Sequence, residues 1–378
     1  MRSEPLVPEA ALAAIRAPFA GAGAEFVDPP ILQPLGALLE LAGEALRSRL
    51  FVVQAEGGAE ACLRPDFTVP VARLHLERAA AEGRYYYEGR AFRAAPDHTD
   101  RAEEFLQIGL ELYAGPSASV VEADAEIAAL AWATSVAGGR GDLTLWLGDV
   151  ALFGAFIDAL GLAEPLAARL KRAAARPRLL QAELARAGAA EAPVAGGQLA
   201  ATLAALSETE AAALLEEVWA LAGVERVGGR GAAEIAQRLI RRAEAARAPA
   251  LTEAQAEALR RFLAIEAAPP EALAALGELA AGDSAFGAAL DGWRDRLGRL
   301  ALAGVPAAAI RFAAGLGHTF DYYDGLTFEV RSAALGAGRP LAVGGRYDGL
   351  SARLGGAADA RAVGAMARPW RVFAGGEA

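Results

Sequence analysis

Apolar and polar residues alternate along the chain in a way that separates two strand-rich end regions from a helical middle region. Period-two apolar runs predict four strands in the N-terminal region, over 50–54, 61–63, 84–93 and 105–113. An amphipathic segment is expected over 35–50. Two helices are also predicted, one over 71–78 that is opened by Thr68 as N-cap and by Pro70, and one over 117–136.

The middle region, residues 155–306, consists mainly of Ala, Leu, Glu and Arg in helical periodicity, interrupted by proline and glycine clusters. Strand patterns return over 310–314, 326–330, 341–343 and 362–367. Because both ends of the chain supply strands, we expect one core built from 1–154 and 307–378, with 155–306 as an inserted helical domain. The predicted fold class is therefore α+β.

Composition and charge limit the classes of partner. The chain has 378 residues, of which 54% are hydrophobic and 22% charged, so it can bury a large core. A net charge of −10 argues against a broad nucleic-acid surface, which needs clustered cations. The first residues, Met1 to Pro5, lack an apolar signal core, and charged residues or glycine interrupt the apolar stretches. We therefore expect a cytoplasmic protein without a membrane span.

Cysteine and histidine usage excludes several kinds of site. Cys62 is the only cysteine, so no internal disulfide and no multi-cysteine metal site can form. The histidines, His75, His98 and His318, are too scattered to suggest a metal site. We expect neither a metal nor a cofactor.

Two turns near the C-terminus carry most of the candidate chemistry. They are Gly317-His318-Thr319-Phe320-Asp321-Tyr322-Tyr323-Asp324-Gly325 and Gly344-Gly345-Arg346-Tyr347-Asp348-Gly349-Leu350. Both combine aromatic and acidic side chains with glycine, and they flank a predicted strand, so their polar groups can converge on one small ligand. The simpler interpretation is a pair of hairpin turns, for which Asp and Gly are common residues.

Further segments, in the same order along the chain, favour the first interpretation. They are Leu63-Arg64-Pro65-Asp66-Phe67-Thr68, Phe92-Arg93 and Phe105-Leu106-Gln107-Ile108-Gly109-Leu110-Glu111. Together with the two turns they resemble the catalytic core of histidyl-tRNA synthetase. Residues 29–32 are similar to motif 1 of the class II synthetases, Arg93 to the motif 2 arginine, and 362–371 to a degraded motif 3. The resemblance implies an antiparallel sheet flanked by helices.

The resemblance also implies a histidine-binding site, because an amino acid with an imidazole needs anions, a cation and hydrogen-bonding groups. Its members would be Asp66, Thr68 and Gln107 at the amino group, Glu111 and Tyr323 at the imidazole, Tyr347 and Tyr322 at the wall, and Arg93 as a positive charge. Taken alone, Glu111 could instead be an exposed strand residue and Gln107 a rim residue.

The catalytic part of the synthetase pattern is altered. His318 stands at the position of the catalytic arginine, Ala95 at that of the adenine-contacting glutamate, and Glu103 at a basic position of the motif 2 loop. Arg368 replaces a small glycine in motif 3, so Arg371 is expected in a blocked cleft. Adenylate formation needs several cations around the phosphates of ATP, and we expect that these have been lost.

The chain ends at Ala378, where a synthetase would continue, so neither an anticodon-binding domain nor tRNA charging is expected. The resemblance then implies a paralogue of histidyl-tRNA synthetase that serves as a non-catalytic regulatory subunit of ATP phosphoribosyltransferase. Its partners would be a short-form catalytic subunit in a hetero-octamer, a second copy of itself in a dimer, and L-histidine as feedback effector.

Three points stay open on the residues. Histidine could bind the synthetase-like pocket or an interface between the two kinds of subunit. The chain could instead be a truncated amino-acid-activating enzyme, or a histidine-binding module for another partner.

Overall fold

The computed structural model describes residues 2–42, 44–54, 58, 60–95, 101–174, 177–188, 202, 206–222, 250–280, 282–316 and 322–376. The chain divides into two compact units. The first contains both ends, Met1–Ala155 and Phe262–Ala378, and the second is Phe156–Arg261.

The strands lie in the first unit and are numbered along the chain. They are β1 (Glu25–Phe26), β2 (Leu32–Pro34), β3 (Val52–Gln54), β4 (Glu60–Leu63), β5 (Gly83–Phe92), β6 (Glu104–Ala114), β7 (Leu143–Asp149), β8 (Glu266–Ala267), β9 (Ile310–Ala313), β10 (Leu326–Ser332), β11 (Ala342–Arg346) and β12 (Arg361–Ala367). Nine of these described strands form one sheet in the order β1-β5-β6-β12-β11-β10-β7-β9-β8, and β2-β4-β3 form a small second sheet. The predicted sheet with strands from both ends of the chain is confirmed.

The helices are numbered in the same way. They are α1 (Glu9–Ala20), α2 (Leu35–Ala42), α3 (Thr68–Glu77), α4 (Val120–Val136), α5 (Val150–Ala159), α6 (Glu164–Ala173), α7 (Pro177–Ala185), α8 (Glu208–Ala222), α9 (Glu253–Leu263), α10 (Pro269–Leu279), α11 (Ser284–Leu302), α12 (Gly349–Arg353) and α13 (Pro369–Val372), with 3-10 turns at Glu44–Arg49 and Ala307–Ala309. Helices α6, α7 and α8 belong to the second unit, where Leu166, Leu170, Leu180 and Leu184 are buried.

Antiparallel pairing places the two ends of the chain side by side in the large sheet. Strand β6 pairs with β5 on one side and with β12 on the other, and β10 pairs with β7. Only β1 with β5 and β7 with β9 run parallel among the described strands. The sheet is therefore mainly antiparallel, as the sequence predicts.

The predicted cap of α3 is wrong. The N-cap is Phe67, and Thr68 lies in the first helical turn. The Thr68 hydroxyl donates a hydrogen bond to Glu111 Oε1 at 2.8 Å, so it bonds to the site and not to the helix backbone. The next helix, α4, has a usual N-cap, because the Ser119 side chain accepts a hydrogen bond from the Glu122 backbone N–H.

The insert ends earlier in the structure than in the prediction. The second unit stops at Arg261, and residues 262–306 belong to the first unit. Helix α11, which lies in this segment, packs on α4. Trp293 Nε1 donates a hydrogen bond to Asp149 Oδ2 at 2.9 Å, so α11 is held to the end of strand β7 in the large sheet. The helical periodicity of this segment was correct, but periodicity does not tell which unit a helix joins.

A buried carboxylate connects three elements of the first unit. Asp124 on α4 accepts a hydrogen bond at 2.7 Å from Nη2 of Arg296 on α11 and one at 2.8 Å from Nε of Arg346 on β11. All three side chains are buried. Arg346 also pairs with Asp348, whereas the ion-pair partner of Arg296 within the described residues is Asp124. Removing the Asp124 carboxylate would therefore leave the buried Arg296 guanidinium unpaired and Arg346 with one partner fewer.

We expect Asp124→Ala to lower the free energy of unfolding by about 3–5 kcal/mol, since unpaired buried charges are costly. Asp291→Ala is the matched control, because Asp291 pairs with Arg294 on the exposed surface of α11 and such pairs contribute only about 0–1 kcal/mol. Urea denaturation of both variants measures the difference. Equal losses in the two variants would contradict the structural role of Asp124.

Candidate functional site

A cavity of about 510 Å³ lies over the large sheet, next to the C-terminal turns. Five of the predicted site residues line it: Asp66, Thr68, Arg93, Tyr322 and Tyr323. The other three, Gln107, Glu111 and Tyr347, are almost completely buried and are not part of the lining. The fold therefore gathers predicted residues from 66–111 and 322–347 at one place.

Glu111 is the best-connected polar group behind the cavity. Its Oε1 accepts hydrogen bonds from the hydroxyls of Thr68 at 2.8 Å and Tyr87 at 3.2 Å. The Tyr347 hydroxyl donates to Oε2. Glu111 is thus not an exposed strand residue, the alternative that its sequence context allowed.

Burial raises the pKa of Glu111 to about 7, although the hydrogen bonds from Tyr347 and Thr68 favour the ionised form. Desolvation is the largest contribution, and the negative charge of Asp66 acts in the same direction. A carboxyl group with this pKa can change its protonation near neutral pH.

Two glycines make room for these side chains. Gly364 on β12 lies opposite Glu111 on β6, and a Cβ at Gly364 would overlap the Glu111 carboxylate. A Cβ at Gly345 on β11 would lie 2.7 Å from Cδ1 of Tyr323, closer than side chains tolerate. The glycine in each strand is therefore required by close packing against a polar or aromatic site residue.

Asp66 and Gln107 supply buried polar groups without side-chain partners. Neither carboxylate oxygen of Asp66 has a side-chain hydrogen-bond partner within the described part of the chain, and the same holds for both amide atoms of Gln107. Burial raises the pKa of Asp66, and the positive charge of Arg93 and the backbone N–H groups of Val69 and Thr68 counteract that rise. Gln107 is fully buried and so is not a rim residue. A buried amide without partners is rare in folded proteins and marks a polar position behind the cavity wall.

Three tyrosines form an aromatic cluster beside the cavity. The ring centroids of Tyr322 and Tyr323 are 4.8 Å apart, those of Tyr322 and Tyr347 5.8 Å, and those of Tyr323 and Tyr347 6.4 Å. The rings are tilted or edge-on to one another, an arrangement that stabilises aromatic pairs. The two C-terminal turns therefore meet through their tyrosines, as the pocket interpretation requires.

The cavity is more positively charged than the sequence indicated. Arg49, Arg93, Arg101, Arg368 and Arg371 all line it. The expected loss of cations concerned the positions that match the synthetase motifs, and it does not hold for the cavity as a whole. Arg49, for example, lies outside every matched segment.

The motif 3 arginines are accessible to the cavity, contrary to the expected blocked cleft. The Arg368 guanidinium packs 3.8 Å from the Phe105 ring centroid and pairs with the Glu4 carboxylate. Burial lowers the pKa of Arg368 to about 9, with a further contribution from the charge of Arg371. Both arginines remain part of the wall.

Some predicted features cannot be placed. His318 and the rest of 317–321 lie outside the described residues. Within the described ranges, no three His, Cys, Asp or Glu side chains are grouped to hold a metal ion. In the same ranges, no helix has the length and apolar character needed to cross a bilayer.

The chain is similar to known proteins over most of its length. The family model described as histidyl-tRNA synthetase matches residues 7–242 and 230–369. A relative from Mesorhizobium japonicum, called ATP phosphoribosyltransferase regulatory subunit, is 38% identical over 347 residues and covers 89% of each chain. A relative of the same name from Brucella canis is 35% identical over 335 residues and covers 88% of each.

Solved structures show the same fold. The ATP phosphoribosyltransferase regulatory subunit/histidyl-tRNA synthetase from Bacillus halodurans superimposes with a TM-score of 0.66 at 20% identity, over 98% of this chain and 80% of that one. The histidyl-tRNA synthetase from Nostoc gives a TM-score of 0.60 at 16% identity, over 97% of this chain and 70% of that one.

The raised pKa of Glu111 predicts a pH-dependent stability. Between its ordinary value of 4.5 and about 7, the folded chain keeps a proton on Glu111 that the unfolded chain has lost. The free energy of unfolding therefore falls as pH rises through this range. Glu111→Gln should remove this contribution, which amounts to at most about 3 kcal/mol.

Chemical denaturation of wild type and Glu111→Gln at several pH values between 4 and 8 measures this contribution. Glu122→Gln serves as the control, since Glu122 is an exposed carboxylate on α4. Identical pH slopes for wild type and Glu111→Gln would show that Glu111 ionises normally in the fold.

Proposed function

The chain belongs to the family of ATP phosphoribosyltransferase regulatory subunits, which has the fold of histidyl-tRNA synthetase, and on this premise we propose that it controls the first step of histidine biosynthesis. It is a regulatory subunit and not an enzyme by itself. It binds a separate, short-form catalytic subunit in the cytoplasm and makes the activity of that subunit sensitive to histidine. The proposal is supported by relatives that share 35–38% of their residues with this chain and are called ATP phosphoribosyltransferase regulatory subunit.

The effector in this proposal is L-histidine, bound in the synthetase-like cavity. The ammonium group would meet Asp66, whose carboxylate oxygens have no side-chain partners among the described residues. Gln107, which the sequence also placed at the ammonium group, is buried behind the lining. The carboxylate would lie toward Arg93, and the imidazole toward Tyr323. Glu111 lies behind Thr68 and accepts a hydrogen bond from its hydroxyl. A ligand that contacts Thr68 would therefore also affect Glu111.

Regulation in this proposal is a free-energy coupling between the histidine site of this chain and the active site of the catalytic subunit. Histidine has to bind one quaternary state more tightly than the other, and coupling energies of about 1–3 kcal/mol are typical. The aromatic cluster of Tyr322, Tyr323 and Tyr347 lies beside the cavity, where bound histidine would contact it.

Self-association as a dimer is the second part of the proposal. The small sheet exposes apolar side chains of both outer strands on one face, with Leu32 of β2 53% exposed and Val53 of β3 37% exposed. Ile31, next to β2, is also exposed. Exposed apolar side chains grouped in this way indicate a protein interface. Two such dimers with four catalytic subunits would form the hetero-octamer.

We expect that mixing this chain with a short-form catalytic subunit yields phosphoribosyl transfer that histidine inhibits. Asp66→Asn should raise the histidine concentration for half-inhibition at least about tenfold, because it weakens a charge-assisted hydrogen bond to the ammonium group. Asp295→Asn, on the exposed face of α11, is the control.

Inhibition assays on the mixed complexes measure the effect. Normal inhibition of the Asp66→Asn complex would place the effector outside this cavity. Histidine-dependent ATP–pyrophosphate exchange, measured on the same preparations, is expected to be absent.

The dimer interface predicts a separate result. Leu32→Asp puts a charge into the apolar surface and should weaken self-association at least roughly tenfold. Leu302→Asp is the matched control, since Leu302 at the end of α11 is 90% exposed and lies away from the small sheet. Sedimentation velocity over a concentration series measures both. A Leu32→Asp chain that dimerises like wild type would exclude this surface.

A further inference from the structure

The residues before α1 run along one edge of β6. Ser3 pairs with Glu104 in a parallel bridge, and the backbone N–H of Glu4 donates a hydrogen bond to the Glu104 carbonyl at 2.9 Å. The backbone N–H groups of Glu103 and Glu104 donate to the Arg2 carbonyl at 2.7 and 3.0 Å. Residues 2–4 therefore form a short extension of the sheet, which we call the strap.

The strap occupies an edge of β6 that β12 leaves open. The last residue pair between β12 and β6 is Ala367 with Ile108, so β12 no longer covers β6 at Glu104. The opposite edge of β6 pairs with β5 as far as Glu104. Among the described residues, the strap pairs with β6 alone. A segment with so few backbone bonds, paired on one side only, can open locally while the rest of a sheet stays folded.

One buried ion pair anchors the strap. The Glu4 carboxylate pairs with the Arg368 guanidinium, and the two side chains are only 2% and 8% exposed. Arg368 also packs on the Phe105 ring, which lies 3.8 Å from it, and both residues line the cavity. Glu4 is therefore a direct link between the strap and the cavity wall.

The other anchor lies nearer the surface. Arg2 Nη2 donates a hydrogen bond to the Ala95 carbonyl at 3.2 Å and lies 3.4 Å from Glu103 Oε1. The Arg2 side chain is 37% exposed, and exposed ion pairs contribute little to stability. The buried pair of Glu4 with Arg368 is thus the contact that decides whether the strap stays in place.

That buried pair is balanced between two opposing effects. Burial, followed by the charge of Arg371, brings the pKa of Arg368 down to about 9, although the charge of Glu4 acts in the opposite direction. The desolvation of two charges offsets much of their attraction inside a protein. When the strap detaches, water can reach Glu4 and Arg368 again, so their rehydration offsets the loss of the ion pair.

We propose that the strap is a releasable element, which detaches from β6 while the sheet remains folded and thereby frees Arg368 from Glu4. Because Arg368 lines the cavity, release of the strap changes the cavity wall without a movement of the sheet. The strap needs neither histidine nor a catalytic subunit for this, so its release is independent of the proposed function.

Hydrogen–deuterium exchange of the full chain, resolved to single amides by mass spectrometry, tests the release. In the wild type, exchange at the Glu103 and Glu104 amides should not depend on low concentrations of urea, because only the strap has to open. The protected amides of 109–113, where β6 pairs with β12, should exchange at least about tenfold more slowly. Equal rates with equal urea dependence at both places would overturn the proposal, since the strap would then open only with the sheet.

Glu4→Gln keeps the size of the side chain and removes its charge. It should speed exchange at Glu103 and Glu104 at least about tenfold and leave 109–113 at the wild-type rate. Glu9→Gln is the matched control, because Glu9 is an exposed carboxylate on α1. Faster exchange over all of these amides would indicate a general loss of stability and contradict a separate strap. Unchanged exchange would show that Glu4 does not hold it.

Phenylglyoxal, which modifies accessible guanidinium groups, reports on Arg368 itself. Its labelling of Arg368, followed by peptide mass spectrometry, should be at least about tenfold faster in Glu4→Gln than in the wild type. Arg294 on the exposed face of α11 should be labelled equally in both. Labelling of Arg368 at the wild-type rate in Glu4→Gln would contradict its release with the strap.

Discussion

The site depends on the pairing of β6 with β12, which joins a strand from the first third of the chain to one near its end. This pairing sets Glu111 opposite Gly364, and only glycine leaves space there for the carboxylate. Because side chains alternate along a strand, a shift of one residue in this register would move Gln107 and Glu111 to the other face of the sheet. Asp66, Tyr323 and the arginines would then surround a cavity without its buried polar wall.

The same pairing explains why Glu111 is held by hydroxyls and not by a cation. Thr68, Tyr87 and Tyr347 reach it from three directions, and hydroxyl groups neutralise no charge, so burial still raises its pKa to about 7. The positive charge of the site is placed elsewhere, on the arginines of the cavity. The hydroxyl donors and the cations therefore lie on different sides of the site. The hydroxyl side favours neutral hydrogen-bonding groups, and the arginine side attracts anions.

Much of the fold could be predicted because turn residues bound the strands clearly. The glycine-bracketed strands β10, β11 and β12 and the long strands β5 and β6 lie within a few residues of their predicted positions. Strand β7 had no separate signal, because Leu143–Asp149 runs directly into the apolar helix α5, and an unbroken apolar run does not distinguish strand from helix. The end of the insert was misplaced for a related reason, since α11 has the same periodicity as the helices of the second unit. Its packing on α4, its ion pair with Asp124 and its bond to Asp149 attach it to the first unit, and periodicity encodes none of these contacts.

The candidate site shows a similar division between what motifs reveal and what they do not. The eight predicted residues were identifiable because they belong to motifs that follow one another along the chain in the same order as in the synthetase pattern. The fold brings these motifs together. Arg49 was not, because its place in the cavity results from the bond between its carbonyl and Ala94, which no local pattern encodes. A catalytic site needs charges at the atoms where the transition state develops charge, whereas a binding site needs only charges near the ligand. Substitutions at motif positions can therefore abolish catalysis while other arginines keep the cavity attractive to anions. A regulatory subunit derived from an enzyme in this way keeps a pocket that can respond to ligands without converting them.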